Sequence, residues 1–341
     1  MLPTLSVCAT IFYMNWEMLG HEWAVGLLRE QVSRQSLRHA YLFVGPQGIG
    51  RRTLALRFAQ ALNCLTPPAL GDFCGNCRPC LQIARMQYAD LEVVEAEQKG
   101  GALRVEQIRN LQRSLSLSAY EANYRVAILL RFEDATISAM NALLKTLEEP
   151  APQVVLILTA ESAESLLPTI VSRCEVLRMR PLPVDVVSQG LATHWGVSEE
   201  QAQLLAHISA GRPGYALRLY EEPELQEQRV TWLDDHWRLL SSSRVERFRY
   251  AETLAKEKDV IPQILAVWLS FWRDVLLRGL GTAASLVNLD RQGEIDDLSA
   301  NVGVEQAFKV VSTLEHTLDS LGRNVNLRLA VEVVMLDLPY R

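Results

Sequence analysis

From Tyr41 to about Met179, short apolar runs alternate with longer segments of helical period. "YLFVG" precedes a helical stretch over Arg52 to Asn63, "DLEVVEAE" precedes "RVEQIRNLQRSLSL", and "RVAILL" precedes "ISAMNALLKTLEE". "QVVLILTA" and "CEVLRM" close the series. Strands that are apolar throughout, rather than at every second position, must be covered on both faces, so the pattern predicts a parallel sheet between helical layers. Pro150 and Pro152 stop one helix just before the next strand. That helix, Ile137 to Glu149, either packs on the sheet or faces a neighbouring molecule. Past "RPLP" (Arg180 to Pro183) the β-runs end and amphipathic segments continue to the C-terminus, giving an α/β portion followed by an all-α portion. Here "EEQAQLLAHISAGRPGYALRLYEE" reads as two short helices broken at Gly211, Pro213 and Gly214. In "PQILAVWLSFWRDVLLRGLG", Leu265, Trp268, Leu269 and Trp272 recur at helical spacing and read as core, with Arg273 and Arg278 on the opposite face. The Gly-, Asp- and Asn-rich "LGTAASLVNLDRQGEIDDLSANVG" reads as a connection between helices.

The turn after the first strand carries candidate chemistry. "GPQGIGRRTLA" follows a predicted strand and opens a predicted helix, the context in which successive backbone N–H groups form an anion-binding nest. Gly45, Gly48 and Gly50 match the phosphate-binding loop, but Arg51 stands at the lysine position and Arg52 at the hydroxyl position. Thr53 lies one residue late, which on a helix turns a side chain by roughly 100°. An ATPase also needs carboxylates at the end of the third strand to hold magnesium. There "VAILL" runs into Arg131 and Phe132, and Glu133 and Asp134 follow only afterwards. Two irregular catalytic positions favour a retained scaffold over an enzyme. The residues leave open whether the loop still holds ATP and Mg²⁺ without turnover.

Of the six cysteines, Cys64, Cys74, Cys77 and Cys80 fall in one short segment as C-x9-C-x2-C-x2-C, while Cys8 and Cys174 stand apart. Four thiolates so spaced, among turn-forming Gly75, Pro67, Pro68 and Pro79, suit tetrahedral Zn²⁺ in a closed, structural site. Iron–sulfur ligation and four reduced thiols are the alternatives. Arg173, in "PTIVSRC", lies between a predicted helix and the next strand, where an exposed cation would point off the sheet edge.

Charge narrows the function further. A formal charge of -6 over 341 residues argues against a free-standing nucleic-acid binder, so any DNA contact is expected to be shared with partners. The opening "MLPTLSVCATIFYM" is apolar but has no basic leader and is too short to span a bilayer, which points to a cytoplasmic protein without membrane partners. Residues 1 to 13 fit no element of the pattern, and translation is expected to start at Met14.

Taken together, "HAYLFVGPQGIG", the four-cysteine insert after the loop helix, "NALLKTLEEP" (Asn141 to Pro150) and "PTIVSRC" resemble the bacterial clamp-loader family of AAA+ proteins. The resemblance covers roughly residues 14 to 220 well, and the remaining helices only in kind. It implies a RecA-like AAA+ domain over 14–182 with a zinc module at 64–80, a helical lid over 183–222 and a helical collar domain over 223–341. The altered loop resembles that of the family's stationary subunit, which has no ATPase of its own but belongs to the DNA polymerase III holoenzyme. For that subunit the resemblance implies that Arg173 is an arginine finger acting in the ATP site of an adjacent gamma/tau subunit. It further implies gamma/tau and delta partners in a hetero-oligomeric ring, with the sliding clamp and primer-template DNA reached through the complex. Active family members resemble one another in a sensor arginine; here Gly214 stands at the matching place, with Arg212 two residues earlier. The rival readings are an active gamma/tau-like motor using Arg51, Glu133 and Asp134, and, remotely, a zinc-containing nucleoside monophosphate kinase.

Overall fold

The computed structural model describes residues 16–98, 100–116, 121–257, 260–321 and 326–341; the expected N-terminal extension, residues 1–13, lies outside them. Five strands, β1 (Ala40–Val44), β2 (Leu91–Val94), β3 (Arg125–Leu129), β4 (Val154–Ala160) and β5 (Glu175–Arg178), form one sheet in the order β2-β3-β4-β1-β5. Every pairing is parallel. Every residue of β1, β3 and β4 is buried, as wholly apolar strands require.

The two-residue pleat sorts these side chains into two cores. Tyr41, Phe43, Val126, Ile128, Val155, Ile157 and Leu177 point to one face, under Ala24, Val25 and Leu28 of α1 (Glu22–Ser33) and Leu54, Phe58 and Leu62 of α2 (Arg51–Asn63). Leu42, Val44, Ala127, Leu129, Leu156 and Leu158 point to the other, under Ile108 and Leu111 of α4 (Val105–Leu115) and Met140, Leu143 and Leu147 of α5 (Ile137–Glu148). The helix of the "NALLKTLEEP" segment therefore packs on the sheet. A short helix, α3 (Arg78–Ala84), completes the cysteine segment.

Parallel order fixes where chemistry can collect. The loops after β1, β3 and β4 all leave the same carboxyl edge, where open α/β sheets bind ligands. Each helix then carries the chain back, so the C-terminus of α5 and the short α6 (Pro168–Val171) reach the opposite, amino edge.

Helices α7 (Val184–Trp195), α8 (Glu199–Ile208) and α9 (Pro213–Glu221) follow. The chain divides into two compact units: the described residues up to Ala202 with Gly211–Tyr215, and residues 203–210 with 216–341. In the second unit, α10 (Pro223–Leu240), α11 (Arg244–Leu254), α12 (Ile261–Gly279), α13 (Gln292–Asn301), α14 (Val304–Leu321) and α15 (Leu327–Asp337) share one apolar core. Trp268 and Trp272 lie in it, their indole N–H groups donating to Trp232 O and His236 Nε2. The segment read as a connection between helices itself contains a helix, α13, which buries Ile295 and Leu298, three residues apart on one face. Its abundant Asp and Asn masked that short apolar signal.

Candidate functional site

At the carboxyl edge, the loop after β1 keeps the geometry of a phosphate nest. Gly48 and Gly50 both hold positive φ (82° and 108°), and Gly50 caps the start of α2. A Cβ at Gly48 would lie 2.7 Å from Cβ of Tyr215, so glycine is required there by contact as well as by backbone. The segment Arg212–Tyr215 lies directly on this loop, and Gly214 N–H donates to Gly48 O at 2.8 Å. The Arg212 guanidinium stacks 4.6 Å from the Tyr215 ring centroid.

The three residues after Gly50 diverge. Arg51 is only 7% exposed, whereas Arg52 and Thr53 are exposed, and Arg52 donates to Met86 Sδ at 2.8 Å. Arg51 faces Glu133 and Glu161, which hold up the charge that burial pulls down. Its Nη1 is buried without a hydrogen-bond partner.

Beyond β3 the expected acidic pair is displaced. Arg131 adopts the left-handed conformation (φ 50°), costing roughly 1–2 kcal/mol for a non-glycine residue, and turns the chain into a 3₁₀ turn over Phe132–Asp134. Both carboxylates sit in that turn rather than on the strand. Asp134 accepts from Arg131 Nε at 2.8 Å, while burial raises the Glu133 carboxyl and Arg51 opposes that rise. Glu161, directly after β4, adds negative charge that acts on Arg51, Arg131 and Arg212 alike. The edge thus gathers arginines and carboxylates of the same chain, with Arg131 paired to Asp134 and with Arg51 Nη1 and Glu133 Oε2 each lacking a hydrogen-bond partner.

The four clustered cysteines form a second centre. Their Sγ atoms all lie within 4.8 Å of one another, and Cys64 and Cys77 Sγ are 3.9 Å apart. That is far too long for a disulfide and close to the about 3.8 Å expected between thiolates around tetrahedral Zn²⁺ with Zn–S bonds of about 2.3 Å. Backbone N–H groups of Cys74 and Cys77 point at Cys64 and Cys74 Sγ, both at 3.2 Å, which orients and stabilises thiolates. The donor set fits a closed four-sulfur metal site.

Arg173 lies apart from both centres. Its Nη1 donates to Thr169 O at 2.8 Å and its Nη2 to Glu148 Oε1 at 2.7 Å, with the side chain 35% exposed. Glu175, two residues on, pairs with Tyr41, four residues before Gly45. Four residues of strand, about 13 Å at 3.3 Å per residue, and the turn through Cys174 separate Arg173 from its own loop.

Sequence comparison assigns the fold to a family. The profile described as "DNA polymerase III, delta subunit" matches residues 20–183, and "DNA polymerase III, delta subunit, C terminal" matches residues 224–339. The DNA polymerase III subunit delta-prime of Pseudomonas aeruginosa is 34% identical over 263 residues, 76% of this chain and 77% of that protein. The chain belongs to the DNA polymerase III delta-prime family. Its counterpart in Bacillus subtilis is 28% identical over 316 residues, 92% of this chain and 94% of that one. The tau subunit of B. subtilis is 32% identical over 211 residues, but these make up 60% of this chain and 37% of tau. The sheet order and helical C-terminal unit are those of an AAA+ clamp-loader fold.

For this delta-prime family member, the structure brings Gly45, Gly48, Gly50 and Arg51 together with Glu133. It holds Cys64, Cys74, Cys77 and Cys80 in one cluster and sets Arg173 at the far edge. Glu161 escaped the sequence reading, although its position immediately after the fourth strand was a usable signal. Glu148 was quoted only as part of a motif. Among the described residues no helix is long and apolar enough to cross a membrane.

Proposed function

We propose that this chain is the stationary subunit of a clamp-loader ring. It supports ATP-dependent loading of a sliding clamp on primer-template DNA without hydrolysing ATP itself. The observation that carries this reading is the separation of charges. At the nucleotide loop, a buried Arg51 stands where lysine would meet phosphate, and Asp134, off the strand, is taken by Arg131. Arg173 lies at the opposite edge of the sheet, four strand residues (about 13 Å) and a turn from its own loop, so it would act in another subunit's site. There a guanidinium neutralises charge developing on the transferring phosphoryl group and ties hydrolysis to subunit contact. The ring partners are gamma/tau and delta subunits in the cytoplasm, joined through a collar formed by residues 223–341, with residues 183–222 as the lid. The cysteine cluster holds Zn²⁺ as a structural ion.

The test is a reconstituted ring in which this chain carries Arg173→Ala. Hydrolysis at the site it serves is expected to fall about 10³-fold or more, the usual worth of an arginine finger, and clamp loading to fall with it. Unchanged DNA-stimulated hydrolysis and loading would show that Arg173 has no such role.

A further inference from the structure

Two sequence signatures that are 25 residues apart meet at the amino edge of the sheet: Glu148 of "NALLKTLEEP" and Arg173 of "PTIVSRC". The fold makes the meeting unavoidable. Helix α5 leaves β3 at the carboxyl edge and returns to the amino edge, where Pro150 ends it and fixes Glu148 in its last turn. α6 delivers Arg173 to the same edge just before β5.

A carboxylate at the end of a helix is unfavourable, because the last carbonyls carry partial negative charge. Glu148 and Glu149 both stand there, and Arg173 supplies the opposing cation. The guanidinium has five N–H donors in a rigid fork. One goes to Thr169 O and one to Glu148 Oε1, leaving three for an incoming phosphate. The two contacts anchor both Nη atoms and so fix the plane of the fork without exhausting it.

We propose that Glu148 is a positioning residue for Arg173: it holds the guanidinium in the orientation that enters the neighbouring ATP site. This rests on the finger reading above. Pre-orientation lowers the entropy lost when the fork closes on the transition state, so its removal lowers turnover more than substrate affinity. The pair is partly exposed, and pairs of that kind are worth no more than a few-fold in equilibrium terms.

The experiment compares reconstituted rings carrying the unchanged chain, Arg173→Ala, Glu148→Ala, Glu148→Gln and the Arg173→Ala/Glu148→Ala double variant. Glu148→Ala is expected to lower kcat about two- to fivefold with the KM for ATP unchanged. Glu148→Gln, which retains an acceptor for Nη2, is expected to recover part of the loss. In the Arg173→Ala background, Glu148→Ala is expected to change nothing further. Far-UV circular dichroism of the chain checks that the half-exposed substitution leaves the fold intact. Three outcomes overturn the positioning role while the finger stands: Glu148→Ala leaves kcat at the unchanged level, raises it, or adds its full effect to Arg173→Ala. If Arg173→Ala itself has no effect, the finger reading fails and the positioning role goes with it.

Discussion

Arg247 offers a stability test whose size can be worked out from geometry. It is 2% exposed, and all five of its N–H donors are used. Nε donates to Leu239 O at 2.9 Å, Nη1 to Met335 O at 3.1 Å and Leu338 O at 2.5 Å, and Nη2 to Leu240 O at 3.2 Å and Pro339 O at 2.8 Å. These carbonyls lie at the end of α10 and at and just past the end of α15; Leu239 O and Leu240 O also accept the Ser242 and Arg341 N–H groups, whereas the other three have no helical partner. The Tyr340 ring lies 4.2 Å over the guanidinium. One cation therefore closes two helix ends and pins the C-terminal residues to α10. Hydrogen bonds to a charged group are worth about 1.5–3 kcal/mol each, so five set an upper bound near 7–15 kcal/mol. Desolvation of the guanidinium takes back several kcal/mol, and its immobilisation about 2 kcal/mol. Arg247→Met keeps most of the apolar stem but strands the Met335, Leu338 and Pro339 carbonyls, while Leu239 O and Leu240 O keep the Ser242 and Arg341 N–H groups; a net loss of about 4 kcal/mol is expected. In urea, with m near 2 kcal/mol/M, the midpoint of the step followed by Trp268 and Trp272 should drop by about 2 M. Arg247→Lys, with a charge but no fork, should recover only part. A loss under about 1 kcal/mol for Arg247→Met would refute the reasoning.

Two further predictions concern the second unit and the cysteine cluster. His236 is fully buried and accepts from Trp272 Nε1 at 2.8 Å, and burial first, then Arg247, pulls its pKa from 6.5 to about 3. The folded state keeps it neutral while the unfolded state takes a proton below 6.5, so stability is unaffected at neutral pH and declines as pH falls toward 3. At pH 5 the decline should reach about 2 kcal/mol, and His236→Gln should remove that share of the difference in unfolding free energy between pH 7.5 and pH 5; an undiminished difference would contradict the assignment. The purified chain should carry one zinc ion, which Cys74→Ser should weaken or abolish, along with a lower melting temperature and faster proteolysis between Cys64 and Cys80. Zinc near zero, with no other metal in its place, would remove the site.

Much of the fold was legible because the determining signals are local. Apolar runs such as "VVLILTA" have no polar face to leave in water, so a doubly covered parallel strand follows from composition alone. The cysteine cluster was equally plain, since spacing and turn residues suffice to place four sulfurs together. The carboxyl edge was only half legible. Sequence exposed the irregular Arg51 and the late Glu133 and Asp134, but the left-handed turn at Arg131, which takes those carboxylates off the strand, depends on backbone geometry. Helix α5 could not be oriented from its periodicity, because an apolar stripe does not say what covers it. Its Leu143 and Leu147 lie on the sheet. Glu148 and Arg247 were invisible for a different reason: each acts on partners that are distant in sequence, 25 residues away for Glu148 and up to 92 for Arg247. Helix α1, with Ala24, Val25 and Leu28 buried, had a readable pattern that the strand–helix alternation beginning at Tyr41 overshadowed.

Under the proposed function the nucleotide loop survives as scaffold, with Arg51 at the lysine position and Glu133 and Asp134 off the strand. The most direct measurement is equilibrium binding of Mg-ATP to the purified chain, because binding needs no partner subunit. No saturable binding is expected at millimolar ATP. Tight, magnesium-dependent binding that is lost in Arg51→Ala would contradict it, since Arg51 would then meet phosphate in place of lysine and the chain would have to be treated as a motor.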